Sequence, residues 1–454
     1  MSISLYSNKD IELIKSKLYQ IVDSSIDARN KLLEPSLDEY KKVNKIIQNY
    51  VIEKRRIIYG GFAWNKLIEI KNKKDKFYKY NDRPDIEFYS PYPIEDIKNI
   101  CDILNEKGFK YVSGKSAQHE ETYSIFSNFE NVADISYMPI NIFKKIEVIE
   151  VDKLLLTSPN FILIDILRQY NDPITSYWRI EKAFKRMILL FKHYSLNIKG
   201  NLKKINIDNK RKEILDFIRK EIIIDSKLLV FGYYAYQYYI YKSVNNKINL
   251  YVPYYDVIST NFEEDAKLIY KKLINKFKKI SKKEYYQFYQ FSSNRISILY
   301  DEKVILNIYH NNNMCIPYKF LEKKKIYIVT YAYTIMRFLI EYTYNKINNL
   351  NIEKNNMAFL IKNIIDARNI YLKKNKKTIL DETPFQEFII DCIGYTIDPK
   401  RKYFVTVTEK RKKKQKTQFI YDPKYNHENF NTKAYRFNNS SGNLIRNSRD
   451  YILK

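Results

Sequence analysis

Three cysteines, four histidines and eight glycines in 454 residues leave several chemistries without material. Cys101, Cys315 and Cys392 are odd in number and far apart, so neither a disulfide framework nor a zinc spacing fits them, and they point to a reducing compartment. His119, His193, His310 and His427 form no ligand spacing, which argues against a histidine metal site. The N-terminus lacks the basic start and apolar core of a signal peptide. The longest uncharged stretch, the tyrosine-rich run 228–241, is too short and too polar to span a bilayer. Acidic residues are scarce relative to basic ones, 52 against 80, for a net charge of +28. The sequence therefore reads as an intracellular chain that does not enter a membrane. Its charge suits a polyanionic partner, either nucleic acid or a membrane surface.

An apolar share of 45% is enough to bury real cores, and the length allows two or three domains. The bias toward Lys, Asn, Ile and Tyr reflects in part an AT-rich genome, which discounts some of the lysine excess. Residues 1–55 read as helices, with Ile11, Ile14, Leu18 and Ile21 at helical spacing in the first, and Tyr40, Val43, Ile46, Ile47 and Tyr50 in the second. A short strand over 56–59 runs into Gly60-Gly61, and a helix follows over 62–70. Residues 71–82 form a polar loop. Strands are expected at 85–89, 110–112, 121–126 and 131–137, with an amphipathic helix over 93–107 that Gly108 ends. The mixed order predicts an α/β (α+β) fold with a mixed sheet open on one face. Helices occupy 158–196. The second of them points Ile180, Phe184, Met187, Ile188 and Phe191 inward and carries Arg179, Lys182, Lys185 and Arg186 on the opposite face. Trp178 is read as core rather than as a stacking ring.

The order of elements then repeats. The run 230–237 echoes 58–65, the run 248–254 echoes 86–92, a helix over 266–277 follows, and 305–309 echoes 132–136. Helices over 327–344 and 356–372 parallel those at 158–196. On this alignment Tyr233 stands at Gly61, Lys247 at Asp85, Asn249 at Glu87 and Asn307 at Asp134. The scaffold is kept while the acids are lost. The division is thus an N-terminal helical segment (1–55), a first domain with a helical extension (56–200), a degenerate second domain (210–398) and a basic tail (399–454). From residue 400 onward fifteen Lys and Arg face four acids. Such a tail suits a solvated segment and a nucleic-acid contact equally well.

The stretch 59–134 carries the candidate chemistry. Glycines after a strand and before a helix let backbone amides approach phosphate, and the helix N-terminus favours an anion. Asn65, one turn further on, is in reach of a ribose or phosphate. Asp85 and Glu87 lie two apart on a strand and leave the same face. Asp134 interrupts an apolar strand, where a carboxylate is costly unless paired or metal-bound. Three carboxylates around hard divalent ions are the equipment of nucleotidyl transfer. Arg179, Lys182 and Arg186 are candidates for neutralising nucleotide phosphates or an RNA backbone, although their spacing equally describes an ordinary solvated face.

The run Tyr-Gly-Gly-Phe-Ala-Trp-Asn (59–65), followed by Asp-Ile-Glu-Phe-Tyr-Ser-Pro (85–91) and by the helical segment 176–186, resembles the poly(A) polymerase catalytic subunits of large DNA viruses. The mimivirus type is the nearest likeness, and the poxvirus and asfarvirus enzymes are more distant. The resemblance implies template-independent addition of AMP from ATP to the 3′ end of single-stranded mRNA by two-metal chemistry with Mg²⁺ or Mn²⁺. It also implies a nucleotidyltransferase core followed by a degenerate second one, a homodimer, and a place in the host cytoplasm (the viral factory) or the virion. Gly60 and Gly61 match the glycine motif, Asp85 and Glu87 the paired acids, and Asp134 the third acid. Another terminal nucleotidyltransferase, of the oligoadenylate or tRNA-end-adding type, and a catalytically dead RNA-binding protein are the alternatives.

Overall fold

The computed structural model describes residues 5–32, 35–119, 121–196, 198–203, 206–244, 252–285, 293–311, 314–394, 399–413 and 419–425. The chain divides into two compact units. The first comprises 1–143, 148–157 and 403–454, and the second 144–147 and 158–402.

The first unit opens with α1 (Asn8–Leu32) and α2 (Leu37–Glu53). The stripe Ile11, Ile14, Leu18 and Ile21 of α1 is exposed. Ser36 caps α2 by accepting the Glu39 amide, and α2 buries Tyr40, Val43, Ile47, Tyr50 and Val51. Next come β1 (Ile57–Tyr59), α3 (Gly60–Glu69), β2 (Ile86–Ser90), α4 (Pro93–Glu106), β3 (Ser113–Ser116), β4 (Thr122–Ser127), β5 (Glu130–Tyr137), α5 (Ile140–Phe143), β6 (Val148–Val151) and β7 (Leu154–Thr157). Within the unit the strands lie in the order β3-β4-β5-β2-β1-β7-β6. The strand expected at 110–112 falls three residues later, at β3, while β6 and β7 are additions to the sequence reading.

Alternation sorts this sheet into two faces. Ile58, Ile86, Phe88, Ala133, Ile135 and Leu156 are fully buried and in register with one another. Helices α2 and α4 pack against β2 and β5, and α4 also against β3 and β4. Beneath them Arg56 grips Asp96 with two hydrogen bonds, of 2.7 and 2.8 Å, and Tyr50 donates to the same carboxylate at 2.8 Å. That buried pair ties the end of α2 and the start of β1 to α4. The α4 helix ends as expected, with Gly108 at a left-handed φ of +82°.

The second unit contains α6 (Pro159–Tyr170), α7 (Pro173–His193), α8 (Asn209–Ile218), β8 (Leu229–Phe231), α9 (Gly232–Val244), β9 (Tyr255–Ser259), α10 (Phe262–Lys276), β10 (Ile280–Tyr285), β11 (Arg295–Tyr300), β12 (Lys303–His310), β13 (Ile316–Leu321), β14 (Ile326–Val329), α11 (Tyr331–Ile347), α12 (Asn351–Asn375) and β15 (Cys392–Ile393). Its strand order, β10-β11-β12-β9-β8-β14-β13, repeats that of the first sheet element for element, and β15 extends the β13 edge. Residues 327–329, read as the start of a helix, belong to β14, and the helix starts after Thr330, whose hydroxyl accepts the Tyr333 amide.

Three expectations need correction here. Helix α7 buries only Ala183 and Leu190, while Phe184, Ile188 and Trp178 are exposed, so Trp178 is not core. Periodicity defines a stripe without saying what covers it. Helices α6 and α7, attached by the sequence reading to the first domain, pack within the second unit. Cys315 and Cys392, 77 residues apart, are joined as a disulfide across the β13–β15 pairing, where their Cα atoms lie 5.3 Å apart. Spacing along the chain gave no hint of that antiparallel contact.

Helix α13 (Pro399–Lys412) and β16 (Ile420–Tyr421) follow. The β16 strand pairs with β3 and so completes the edge of the first sheet. The end of the basic run, 414–416, and all of 426–454 lie outside the described residues, as do Lys247 and Asn249. No described helix is long and apolar enough to cross a membrane.

Candidate active site

The second face of the first sheet is polar where the first is oily. Glu87 of β2 stands opposite Asp134 of the parallel neighbour β5, and Asp134 stands opposite Ser124 of β4. The next row holds Tyr89, Ser136 and Thr122. Directly opposed residues of paired strands share a face, so both rows project together. Ser136 Oγ lies 2.9 Å from Thr122 Oγ1 and 2.8 Å from the Tyr59 hydroxyl, and the Tyr59 ring stacks on Tyr89 at 4.1 Å. Asp85 precedes Glu87 by two residues and begins the same side. Next to it, the Tyr40 hydroxyl donates to the Pro84 carbonyl. The Tyr40 phenol is pushed up, first by burial and, in smaller part, by the Asp85 charge.

The glycine turn explains itself at Gly60. Its φ is +65°, and a Cβ there would sit 1.7 Å from Glu87 Oε2. Only glycine permits both the left-handed backbone and the carboxylate's approach. The Gly61 amide at the start of α3 donates to Glu87 Oε2 at 2.9 Å. The donor proposed for a phosphate is therefore held by the protein's own acid in this structure.

Asp134 accepts two hydrogen bonds at Oδ1, from Ser124 Oγ at 2.6 Å and from Asn131 Nδ2 at 3.1 Å. Glu87 bonds the glycine turn and Asp134 bonds Ser124. Among the described residues no group of three or more His, Cys, Asp or Glu side chains is gathered to hold a metal ion. The donor set itself fits a hard divalent cation: carboxylates lined up on one face, with hydroxyl and amide oxygens beside them.

Asn65 behaves differently from expectation. It is buried, and its Oδ1 accepts the Phe77 and Tyr78 amides at 2.9 and 3.0 Å. It clamps the loop leading to Asp85 instead of offering that oxygen to a nucleotide. Arg179, Lys182 and Arg186 lie on α7 of the second unit, beside the exposed Tyr177 and Trp178. The Arg179 guanidinium sits 4.4 Å from the Trp178 ring centre.

The equivalent place in the second unit corrects the repeat alignment. The strand matching β2 is β9, and its register sets Asp256 beside Asn307, as Glu87 stands beside Asp134. Gly232 repeats Gly60, with φ +64° and a notional Cβ 2.0 Å from Asp256 Oδ2. Asp256, not Asn249, is thus the counterpart of Glu87, and one acid survives in the copy. Tyr254 takes the place of Asp85, and Asn307 that of Asp134.

Asp256 is buried away from any cation in solution. Burial pushes its carboxyl up to about 7, against the pull of the Asn307 hydrogen bond (2.8 Å) and of the Arg295 and Arg337 charges. Arg337 sits between the Phe231 and Tyr309 rings, at 5.1 and 4.8 Å, and reaches Glu341 at 3.6 Å. Burial works against the charge of Arg295, yet Tyr309 and Glu341 hold its pKa above the ordinary value. The charges of Arg295 and Arg337 thus act on Asp256 from within the protein.

Two duplicated sheets, only the first lined with paired acids behind a glycine turn, match known proteins closely. Residues 45–176 match the Poly(A) polymerase catalytic subunit family, and residues 189–454 match the C-terminal family of the APMV poly(A) polymerase catalytic subunit. An Acanthamoeba polyphaga mimivirus protein assigned as a poly(A) polymerase catalytic subunit is 35% identical, over 97% of this chain and 83% of its own. The chain belongs to the poly(A) polymerase catalytic subunit family. The crystal structure of the Megavirus polyadenylate synthase superposes with a TM-score of 0.88 at 32% identity, covering 99% of this chain and 94% of the other. An African swine fever virus protein with the same assignment is 30% identical over 36% of each chain. This family member is therefore a nucleotidyltransferase with two mixed sheets, of which the first carries the acids.

Proposed function

We propose that the polar face of the first sheet is the catalytic centre of a poly(A) polymerase that transfers AMP from ATP to the 3′ end of single-stranded RNA. The observation that carries this is the row Glu87–Asp134, in register on one face behind the Gly60-Gly61 turn. Asp85, Glu87 and Asp134 would hold Mg²⁺ or Mn²⁺. Bound there, the ions would activate the attacking hydroxyl and stabilise the leaving pyrophosphate.

The chain's own groups do the rest. The Gly61 amide, at the positive end of α3, is the donor for a nucleotide phosphate, which competes for it with Glu87. Asp134 takes up the proton of the RNA hydroxyl. Asn65 keeps the loop before Asp85 in place. Arg179, Lys182 and Arg186, with the exposed Tyr177 and Trp178, are suited to an RNA strand, since phosphates favour the cations and bases stack on the rings. We read the active form as a homodimer working in the host cytoplasm or the virion.

Primer extension with each of the four nucleotides tests the activity. Only ATP should extend an RNA primer. Asp85→Ala and Asp134→Ala should each slow extension by about 100-fold or more, since a lost cation ligand removes several kcal/mol of charge stabilisation. Equal extension by wild type and variants would remove the site assignment. Equal use of all four nucleotides would remove the poly(A) reading.

A further inference from the structure

Both hydrogen bonds to Asp134 fall on the same atom. Ser124 lies directly across the β4–β5 ladder and donates to Oδ1 at 2.6 Å, while Asn131, three residues upstream on β5, donates to it at 3.1 Å. Ser124 is buried, with 8% of its surface accessible.

The second unit repeats this contact although the acid is gone. Ser297 lies directly across the β11–β12 ladder from Asn307 and donates to its Oδ1, again at 2.6 Å. The other terminal atom, Nδ2, then donates to Asp256 Oδ1 at 2.8 Å. The serine thus fixes which way the planar end group faces. One oxygen turns to the serine, and the other atom turns to the carboxylate of the next strand. In the copy that other atom is an amide nitrogen, which can bond the carboxylate directly. In the first sheet it is a carboxylate oxygen beside another acid, and a cation held between two such oxygens relieves their repulsion.

We infer that Ser124, supported by Asn131, is the positioning residue of the catalytic centre. It anchors Asp134 by Oδ1 and so presents Oδ2 toward Glu87 as a cation ligand. This rests on the metal-binding reading given above. A carboxylate held in this way pays no reorientation when the ion arrives, and loss of such an orienting partner weakens metal binding about 10–100-fold.

The test uses the full chain and Mn²⁺ alone, without nucleotide or RNA, following free Mn²⁺ by electron paramagnetic resonance. Ser124→Ala should raise the Mn²⁺ dissociation constant about 10–100-fold, Asn131→Ala by a smaller factor, and Ser124→Thr, which keeps the hydroxyl, should restore it to within about threefold. Ser297→Ala should leave Mn²⁺ binding unchanged. The inference is overturned if Ser124→Ala binds Mn²⁺ within about twofold of wild type, or if threonine fares no better than alanine. Should Ser124→Ala fail to fold, wild-type binding by Asn131→Ala overturns it instead. Asp134→Ala separates the two levels. If that variant still binds Mn²⁺ normally, the metal-binding reading itself falls; if it loses binding while Ser124→Ala keeps it, only the positioning role does.

Discussion

Gly60→Ala is the sharpest probe of the centre, because the chain carries its own control. A left-handed alanine costs about 1–2 kcal/mol. The new methyl would start 1.7 Å from Glu87 Oε2, half of the 3.4 Å at which ordinary contact begins. Glu87 must therefore leave the Gly61 amide, giving up a charge-assisted hydrogen bond worth about 1.5–3 kcal/mol, and its carboxylate must shift by more than about 1 Å. A displacement of that size in a reacting group costs about 100-fold in rate. Gly232→Ala poses the same local problem, with φ +64° and 2.0 Å to Asp256 Oδ2, but at a buried carboxylate that Asn307 already holds by a hydrogen bond. Single-turnover primer extension and thermal melts should therefore diverge. Gly60→Ala should lose about 100-fold in rate at temperatures where it is folded, and Gly232→Ala should lose more stability while extending normally when folded. Half or more of the wild-type rate in Gly60→Ala, or an equal loss of rate in the two variants, would refute this account.

The buried groups away from the centre yield further expectations. Asp256 keeps its proton up to about pH 7 when folded but releases it near 3.9 when unfolded. Between those values the unfolded chain binds fewer protons, so stability should fall as pH rises from about 4 to 7, by a few kcal/mol. Asp256→Asn should flatten that slope in urea midpoints measured against pH, and an unaltered slope would reject the assignment. Asp96→Ala strands the largely buried Arg56 guanidinium and should cost about 3–5 kcal/mol in urea unfolding of the first unit; a loss below about 1 kcal/mol would show that the pair is not holding α4. The Cys315–Cys392 bond closes a loop of 77 residues, so Cys315→Ser should cost up to about 4 kcal/mol, and reductant should bring the wild-type melt down to that of the variant. A wild-type melt indifferent to reductant would count against the bond. RNA affinity should drop steeply between low and moderate salt, and a flat dependence would argue against a phosphate-tracking surface.

Much of the centre was legible because its signals are local. The structure keeps the glycine turn between strand and helix and sets Glu87 in register with Asp134 on one polar face, while Asp85 lies just before β2 rather than on it. The β6–β7 hairpin was not legible because its turn hides its chemistry. Asp152 and Lys153 both take left-handed φ values, +50° and +69°, the geometry of a two-residue hairpin turn, but without the Asn-Gly or Asp-Gly pair that advertises it. The repeat alignment failed for a different reason. The runs 86–92 and 248–254 share a pattern of apolar residues and a proline, but pairing partners decide which residues form a strand, and those are set by β12, fifty residues away from β9. Asp256 was missed for that reason alone. The exposure of Trp178 was equally out of reach, since a helix's own sequence does not record what packs on it.

The pairing of β16 with β3 has a consequence for biosynthesis. Phe419 is buried and meets Tyr123 edge-on, and the Tyr421 hydroxyl donates to Asp102 at 2.6 Å. The sheet that bears the acids therefore acquires its last strand only after some 260 further residues, including the second unit's 158–402, have been translated. At ribosomal rates of about 5–20 residues per second, that interval is tens of seconds or less. Domains ordinarily mature in the order they are made; here the second unit can finish before the first sheet gains the strand that closes its β3 edge.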